Sequence, residues 1–132
     1  MVTIAEFVDA EETRNWEPIE RAVTDLLVGA VSASGRIRVV DRERLDDLLR
    51  EQQLTLKGLA DKGNSAVIGR LLGADRIVTG RLFIRDDHIR IIAQIVDVHT
   101  AVIQATCQAE GPMADLLGHV TDLARDLSEQ LE

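Results

Sequence analysis

The spacing of apolar positions changes period along the chain, and each change marks a new element. Residues 1–8 are apolar and rich in β-branched side chains, which predicts a strand. Residues 9–18 are acidic and polar and predict a loop, with Pro18 suited to the first turn of a helix. Ile19, Ala22, Val23, Leu26, Leu27, Ala30 and Val31 then recur at helical spacing, and Gly35 ends that helix. Residues 36–40 predict a short strand. Asp41 is a natural N-cap for a second helix, which carries Leu45, Leu48 and Leu49 on one face and runs to Gln53. After a turn over residues 57–63, Asn64 or Ser65 caps a third helix with Val67, Ile68, Leu71 and Leu72 inward, closed by Gly73.

From Arg76 the period becomes two. Val78, Gly80, Leu82 and Ile84 alternate with Thr79, Arg81 and Phe83, and Asp86 with Asp87 forms a two-residue turn. That turn sets Ile84 opposite Ile89, Leu82 opposite Ile91, Gly80 opposite Ala93 and Val78 opposite Ile95, all on one face. A two-residue turn after Val98 would pair inward with outward residues. A three-residue loop at His99, Thr100 and Ala101 restores the match, with Ala93 opposite Cys107, Ile91 opposite Ala109 and Ile95 opposite Ala105. Pro112 opens a final helix whose apolar stripe is Met113, Leu116, Leu117, Val120, Leu123, Leu127 and Leu131. The order β-α-β-α-α-β-β-β-α predicts one α/β domain over residues 1–132. Its mixed sheet begins with a parallel β-α-β unit, continues as an antiparallel three-strand meander, and carries about four helices in a three-layer arrangement.

Composition narrows the function. The chain is 45% hydrophobic with a formal charge of −8, and its only aromatic residues are Phe7, Trp16 and Phe83. An aliphatic core follows. Stacking platforms for glycans or single-stranded nucleic acid need aromatic rings, and a phosphate backbone would be repelled. Cys107 is the single cysteine, so it says nothing about the redox compartment. No leader is visible, and the apolar stretch at residues 26–31 is too short to span a bilayer. The protein is expected in the cytoplasm if the chain is complete, and outside it if a leader has been removed.

Chemistry-bearing patterns are sparse. No P-loop, dinucleotide fingerprint or paired-cysteine metal site occurs, and Gly69 and Gly73 read as packing and capping. His88 and His99 lie at opposite ends of one strand, about 35 Å apart at strand rise. Cys107 points to the aliphatic face, where a thiol acts as a small hydrophobe. His119 reads as a surface residue. The acids Asp9, Glu11, Glu12, Glu17 and Glu20 lack calcium-loop spacing and read as a solvated loop before a helix. The outer face of the meander carries Ile77, Phe83, Ile92, Val96, Val98 and Val102 among Arg81, Arg90, Gln94, Thr106 and Gln108. Either a protein partner covers this apolar face or the last helix does.

Three stretches resemble a known family. Residues 39–52 pair Val39 and Val40 with an Asp41–Arg42 step, a Leu helix and a Glu51–Gln52 end. Residues 68–80 run through Gly69, Leu71, Leu72, Gly73, Ala74 and Asp75 into a strand closing on Thr79 and Gly80. Residues 95–100 place Val96, Asp97, Val98 and Thr100 at a hairpin. Together they resemble the curli-secretion (CsgG-like) family, including its FlgO-type members. Ala101 departs from that pattern by replacing the usual turn glycine. The joints where channel-forming members insert membrane hairpins are also tiny, whereas a membrane strand needs about nine to eleven residues.

The resemblance implies a non-enzymatic scaffold domain for protein–protein assembly, without direct membrane insertion, in the bacterial cell envelope (periplasm) if a leader has been removed. Its expected partner is another protein or further copies of the chain. It brings no cofactor, metal, nucleic acid or catalytic residues, and the interface is expected at Ile77, Phe83, Ile92, Val96 and Val98. A small-ligand sensor of similar fold is the alternative. A hydrolase using Cys107 is a third reading, which requires a thiol that reacts in the native state.

The loop assignment places Ala101 in the left-handed region, at a cost of about 1 kcal/mol relative to glycine. Ala101→Gly should therefore raise stability by up to about 1 kcal/mol, read as a higher denaturant midpoint at unchanged slope.

Overall fold

Ten-residue strands at 76–112 provide the frame on which everything else packs. In the computed structural model, β1 (Val2–Ile4), β2 (Val8–Asp9), β3 (Arg76–Arg85), β4 (His88–Asp97) and β5 (Ile103–Pro112) form one mixed sheet. The helices are α1 (Glu17–Ser32), α2 (Arg42–Glu51), α3 (Lys62–Leu71) and α4 (Leu116–Leu131), the last entered through a 3-10 turn at Met113–Asp115. The structure describes all residues except 6, 10–15, 34, 41, 55–57, 59 and 60, and of Asp9, Glu17 and Arg42 the backbone alone. The expected Asp41 cap and the acids Glu11 and Glu12 lie outside the described residues.

The meander has the register that the hydrophobic pattern requires. Arg85 pairs with His88 across the Asp86–Asp87 turn, and Ile84↔Ile89, Leu82↔Ile91, Gly80↔Ala93 and Val78↔Ile95 follow. On the other side Ile91↔Ala109, Ala93↔Cys107 and Ile95↔Ala105 pair as expected. The loop itself differs in one respect. Asp97 already closes on Val102 through an N–H···O bond of 2.9 Å, so four residues form the loop, and the extra residue is absorbed as a bulge at Gln104 inside β5. Parity on the inner face survives. Asp97 Oδ1 accepts the N–H groups of His99 (2.9 Å) and Thr100 (3.1 Å). These bonds, Thr100 first, hold the Asp97 carboxyl below its ordinary range. Ala101 is left-handed, at φ +60°.

The N-terminal strand is broken where the sequence predicts one continuous element. β1 pairs Val2↔Arg76 through Ile4↔Val78, whereas β2 pairs Val8↔Arg81. One extra residue therefore lies between them, and it reverses the alternation. Val2 and Ile4 face one core, Ala5 the other, and Phe7 returns to the first. The break leaves the Phe7 N–H without a ladder partner. The buried Thr24 hydroxyl of α1 accepts it at 2.9 Å and donates to Glu20 C=O at 2.8 Å. The expected strand at residues 36–40 is reduced to a parallel bridge, Val2↔Val39, held by bonds of Val2 N–H to Arg38 and of Val40 N–H to Val2.

Two apolar clusters sandwich the sheet. On the inner face, α1 and α4 bury Val23, Leu27, Val31, Val120, Leu123 and Leu127 against Ile89, Ile91, Ala93 and Ile95. On the outer face, Leu45 and Leu49 of α2 and Ile68 of α3, with Leu72 just beyond it, pack on Ile77, Val96 and Val98. The last helix thus covers the inner face, not the outer one for which the sequence left it as the alternative to a protein partner, and α2 with α3 supplies the outer layer. α3 starts earlier than expected because Asp61 caps it, its Oδ1 accepting Gly63 N–H at 2.8 Å and Asn64 N–H at 3.2 Å. Thr3 lies on β1 opposite Ile77, with its buried hydroxyl unpartnered among the described residues.

Phe7 occupies the space over Gly80, and a Cβ there would run into its ring. Gly80→Ala should cost about 1–3 kcal/mol by overpacking, read as a lower denaturant midpoint. Loss should be partly relieved by Phe7→Leu in the same chain, since the two changes share one contact.

Candidate interaction surface

The outer face divides because its helices are short. A ten-residue strand is about 33 Å long and a ten-residue helix about 15 Å, so α2 and α3 cover the part of β3 and β4 near the His99 loop and stop short of the Asp86 hairpin end, which no other described helix covers on this face. Burial follows that boundary. Along β4 the outer row runs from exposed His88 and Arg90 through half-buried Ile92 and Gln94 to buried Val96. On β3, Ile77 and Thr79 are buried, while Phe83 is half-buried between exposed Arg81 and Arg85.

This corrects the expected interface. Ile77, Val96 and Val98 are 0%, 1% and 0% exposed, because α2 and α3 of the same chain cover them, and no partner can reach them. Val98 is held especially closely: its side chain fills the place where a Cβ on Gly69 would sit, which is why α3 carries glycine there. Phe83 and Ile92 remain at the surface. Their rows are set by register, with Phe83 opposite Arg90 and then Glu110, and Arg81 opposite Ile92 and then Gln108. The Arg90 guanidinium donates to Gln108 Oε1 from Nε (3.2 Å) and Nη2 (2.8 Å). His88 Nε2 lies 3.4 Å from Glu110 Oε2. The patch is thus an apolar pair inside a rim of arginine, glutamine and acid, the composition of a protein-contact surface. The split could have been anticipated from the sequence, since two helices each with an apolar stripe need a surface and neither is as long as the strands beneath.

The remaining candidates are dispersed. Cys107 is 9% exposed on the inner face, and burial pushes its thiol pKa up, with the Asp126 charge adding to this. His119 is buried, contrary to the sequence expectation. Its ring fills the space beside Gly111, and its Nε2 lies 3.0 Å from Pro112 C=O, to which it donates. His99 Nε2 sits 3.6 Å from Asp75 Oδ1 at the far end of the sheet. Among the described residues no group of three or more His, Cys, Asp or Glu converges as a metal site, and no helix is long and apolar enough to cross a membrane. A shallow cavity of about 100 Å³ lies between Arg36, Arg38, Arg76 and Leu131. There Arg76 Nη1 donates to Gln130 C=O at the end of α4 (3.1 Å), where a cation complements the helix dipole.

A parallel start, an antiparallel meander and helices on both faces define a mixed-sheet α/β domain. The family model described as "curli production assembly/transport component CsgG" matches residues 4–94, and the chain belongs to that family. No curated protein matches it in sequence. Among solved structures it is similar to the LpoB C-terminal domain from Salmonella enterica, with 15% identity and a TM-score of 0.65, covering 84% of this chain and 81% of that one. The PelC dodecamer from Paraburkholderia phytofirmans has 15% identity and a TM-score of 0.53 over 98% and 85% of the two chains. The lipoprotein GNA1162 from Neisseria meningitidis has 12% identity and a TM-score of 0.62 over 98% and 94%. At such identities these likenesses establish the fold alone.

Cys107 should react with a small disulfide reagent at least about 100-fold more slowly in native protein than in denaturant. Its raised pKa fixes a sign as well. The thiol favours folding fully below the unfolded thiol's pKa, and that contribution is lost as pH rises through the alkaline range. Cys107→Ala should flatten the alkaline limb of a stability–pH curve.

Proposed function

We propose that residues 1–132 form a non-enzymatic protein-interaction domain of a bacterial cell-envelope or secretion-related assembly, a scaffold that does not itself form a pore. The observation that carries this reading is the bare half of the outer sheet face, where Phe83 and Ile92 stand beyond the reach of α2 and α3. Membership of the CsgG family supports an envelope setting. The similarly folded PelC is a dodecamer and GNA1162 a lipoprotein, which agrees with it. The two-residue turn at Asp86–Asp87 and the direct passage from β5 into α4 favour a scaffold over a channel. The cavity beside Arg76, about 100 Å³ against roughly 300–1,000 Å³ for ordinary small-molecule sites, does not itself support the alternative of a small-ligand sensor.

A buried aromatic or aliphatic anchor at an interface contributes about 2 kcal/mol or more. Phe83→Asp and Ile92→Asp in the full-length gene product should reduce co-purification of its envelope partner from the producing bacterium at least about tenfold, with the unfolding midpoint little changed. Undiminished co-purification from both variants would exclude this face as the contact.

A further inference from the structure

The sheet ends at β5, and the backbone of that strand is unusually available. Among the described residues the order β1-β3-β4-β5 leaves the far side of β5 with no neighbouring strand. Hairpin geometry says which groups are free. A two-residue turn makes Arg85↔His88 a mutually hydrogen-bonded pair, so even-numbered β4 residues bond to β3 and odd-numbered ones to β5. The bonds Asp97 N–H to Val102 and Met113 N–H to Asp87 obey that alternation. Ala105, Cys107, Ala109 and Gly111 therefore spend their backbone groups on β4. The N–H and C=O groups of Thr106, Gln108 and Glu110 point outward from the edge.

Natural edges are blunted by lysines, central prolines, shortness or bulges. This one is ten residues long with a single formal charge, Glu110, and its bulge and its proline lie at opposite ends. Thr106, Gln108 and Glu110 are exposed.

We infer that the β5 edge pairs two copies of this chain as antiparallel strands about a two-fold axis at Gln108. That register sets Gln108 opposite Gln108 and Thr106 opposite Glu110 on the outer face. The carboxylate thus meets a hydroxyl donor and no like charge. On the inner face Cys107 meets Ala109 and Ala105 meets Gly111, all small enough for two sheets to join. Centring the axis on Glu110 would oppose two carboxylates, and centring it on Thr106 would bring the Gln104 bulge into the paired window. Antiparallel pairing also brings the beginning of one β5 to the end of the other. Three exposed apolar residues sit near those ends, Val102 (54% exposed) and Ile103 (41%) at one and Leu117 (64%) at the other. The edge borders the Phe83–Ile92 face and shares Gln108 and Glu110 with its rim, but strand pairing uses backbone groups that Phe83 does not supply, so Phe83→Asp tests the face alone.

The test is absolute mass by light scattering across a concentration series of the purified protein, with five variants. Gln108→Pro removes an outward N–H that no internal bond uses, and an edge strand tolerates proline there. It should weaken a monomer–dimer equilibrium at least tenfold, and Gln108→Lys, which opposes two ammonium groups, should do the same if the proline disturbs the fold. Gln108→Cys in a Cys107→Ala background should form a disulfide-linked dimer under mild oxidation, since directly paired strand residues lie within bridging distance. Thr106→Cys in that background should not. Phe83→Asp should leave the dimer intact. A monomer at all concentrations with no Gln108→Cys cross-link would overturn the inference and leave the edge to a strand of another protein. So would a dimer indifferent to Gln108→Pro and Gln108→Lys, or one broken by Phe83→Asp.

Discussion

The pairing of β4 on both sides over its whole length is the constraint from which the rest of the structure follows. Ile89, Ile91, Ala93 and Ile95 are each 0% exposed on its inner face, and that row can be buried in one parity only. Slipping β4 by one residue against its neighbours would bring charged residues such as Arg90 against α4 and turn isoleucines to the other face. The Asp86–Asp87 turn and the Gln104 bulge are the devices that keep the parity, one by its length and the other by absorbing an extra residue inside the strand. The N-terminal segment solves the same problem differently. Its extra residue between β1 and β2 swings Phe7 over Gly80, and Thr24 satisfies the amide that the break exposes.

Once the inner face is fixed, the outer face is fixed with it, and helix length decides how much of that face is left over. The sixteen-residue helices α1 and α4 lie on the inner side, whereas α2 and α3 have ten residues each. Ile77, Val96 and Val98 fall under the short pair and become core, while Phe83 and Ile92 fall outside it. A surface of this kind is set by geometry: the same alternation of residues is core at one end of a strand and surface at the other. The interaction reading therefore rests on where the covering layer stops, together with the family to which the chain belongs.

Much of this was legible in the sequence because it depends on local rules. Period-two alternation from Arg76 onward, a two-residue Asp–Asp turn and the parity argument at the second hairpin gave the meander and the left-handed Ala101. Pro18 and Pro112 marked the approaches to α1 and α4, and Gly35 and Gly73 the exits from α1 and α3. What was not legible depends on packing between distant segments. Residues 1–8 read as one strand because the inserted residue shows only when β1 and β2 are laid against β3. His119 read as a surface residue because its burial requires Gly111 on another element. Asp61 was passed over as a cap because Asn64 and Ser65 are equally good candidates by residue type. The interface proposal included three core residues because periodicity identifies a face and says nothing about how far a helix reaches along it.

Site-specific photo-cross-linking in living cells tests the central claim most directly. A photoreactive residue placed at Ile92 of the full-length gene product should yield a discrete protein adduct on irradiation, while the same residue at Asp47, on the exposed side of α2, should not. Equal cross-linking from both positions, or adducts from Asp47 alone, would contradict the account that the bare half of the sheet is the working surface.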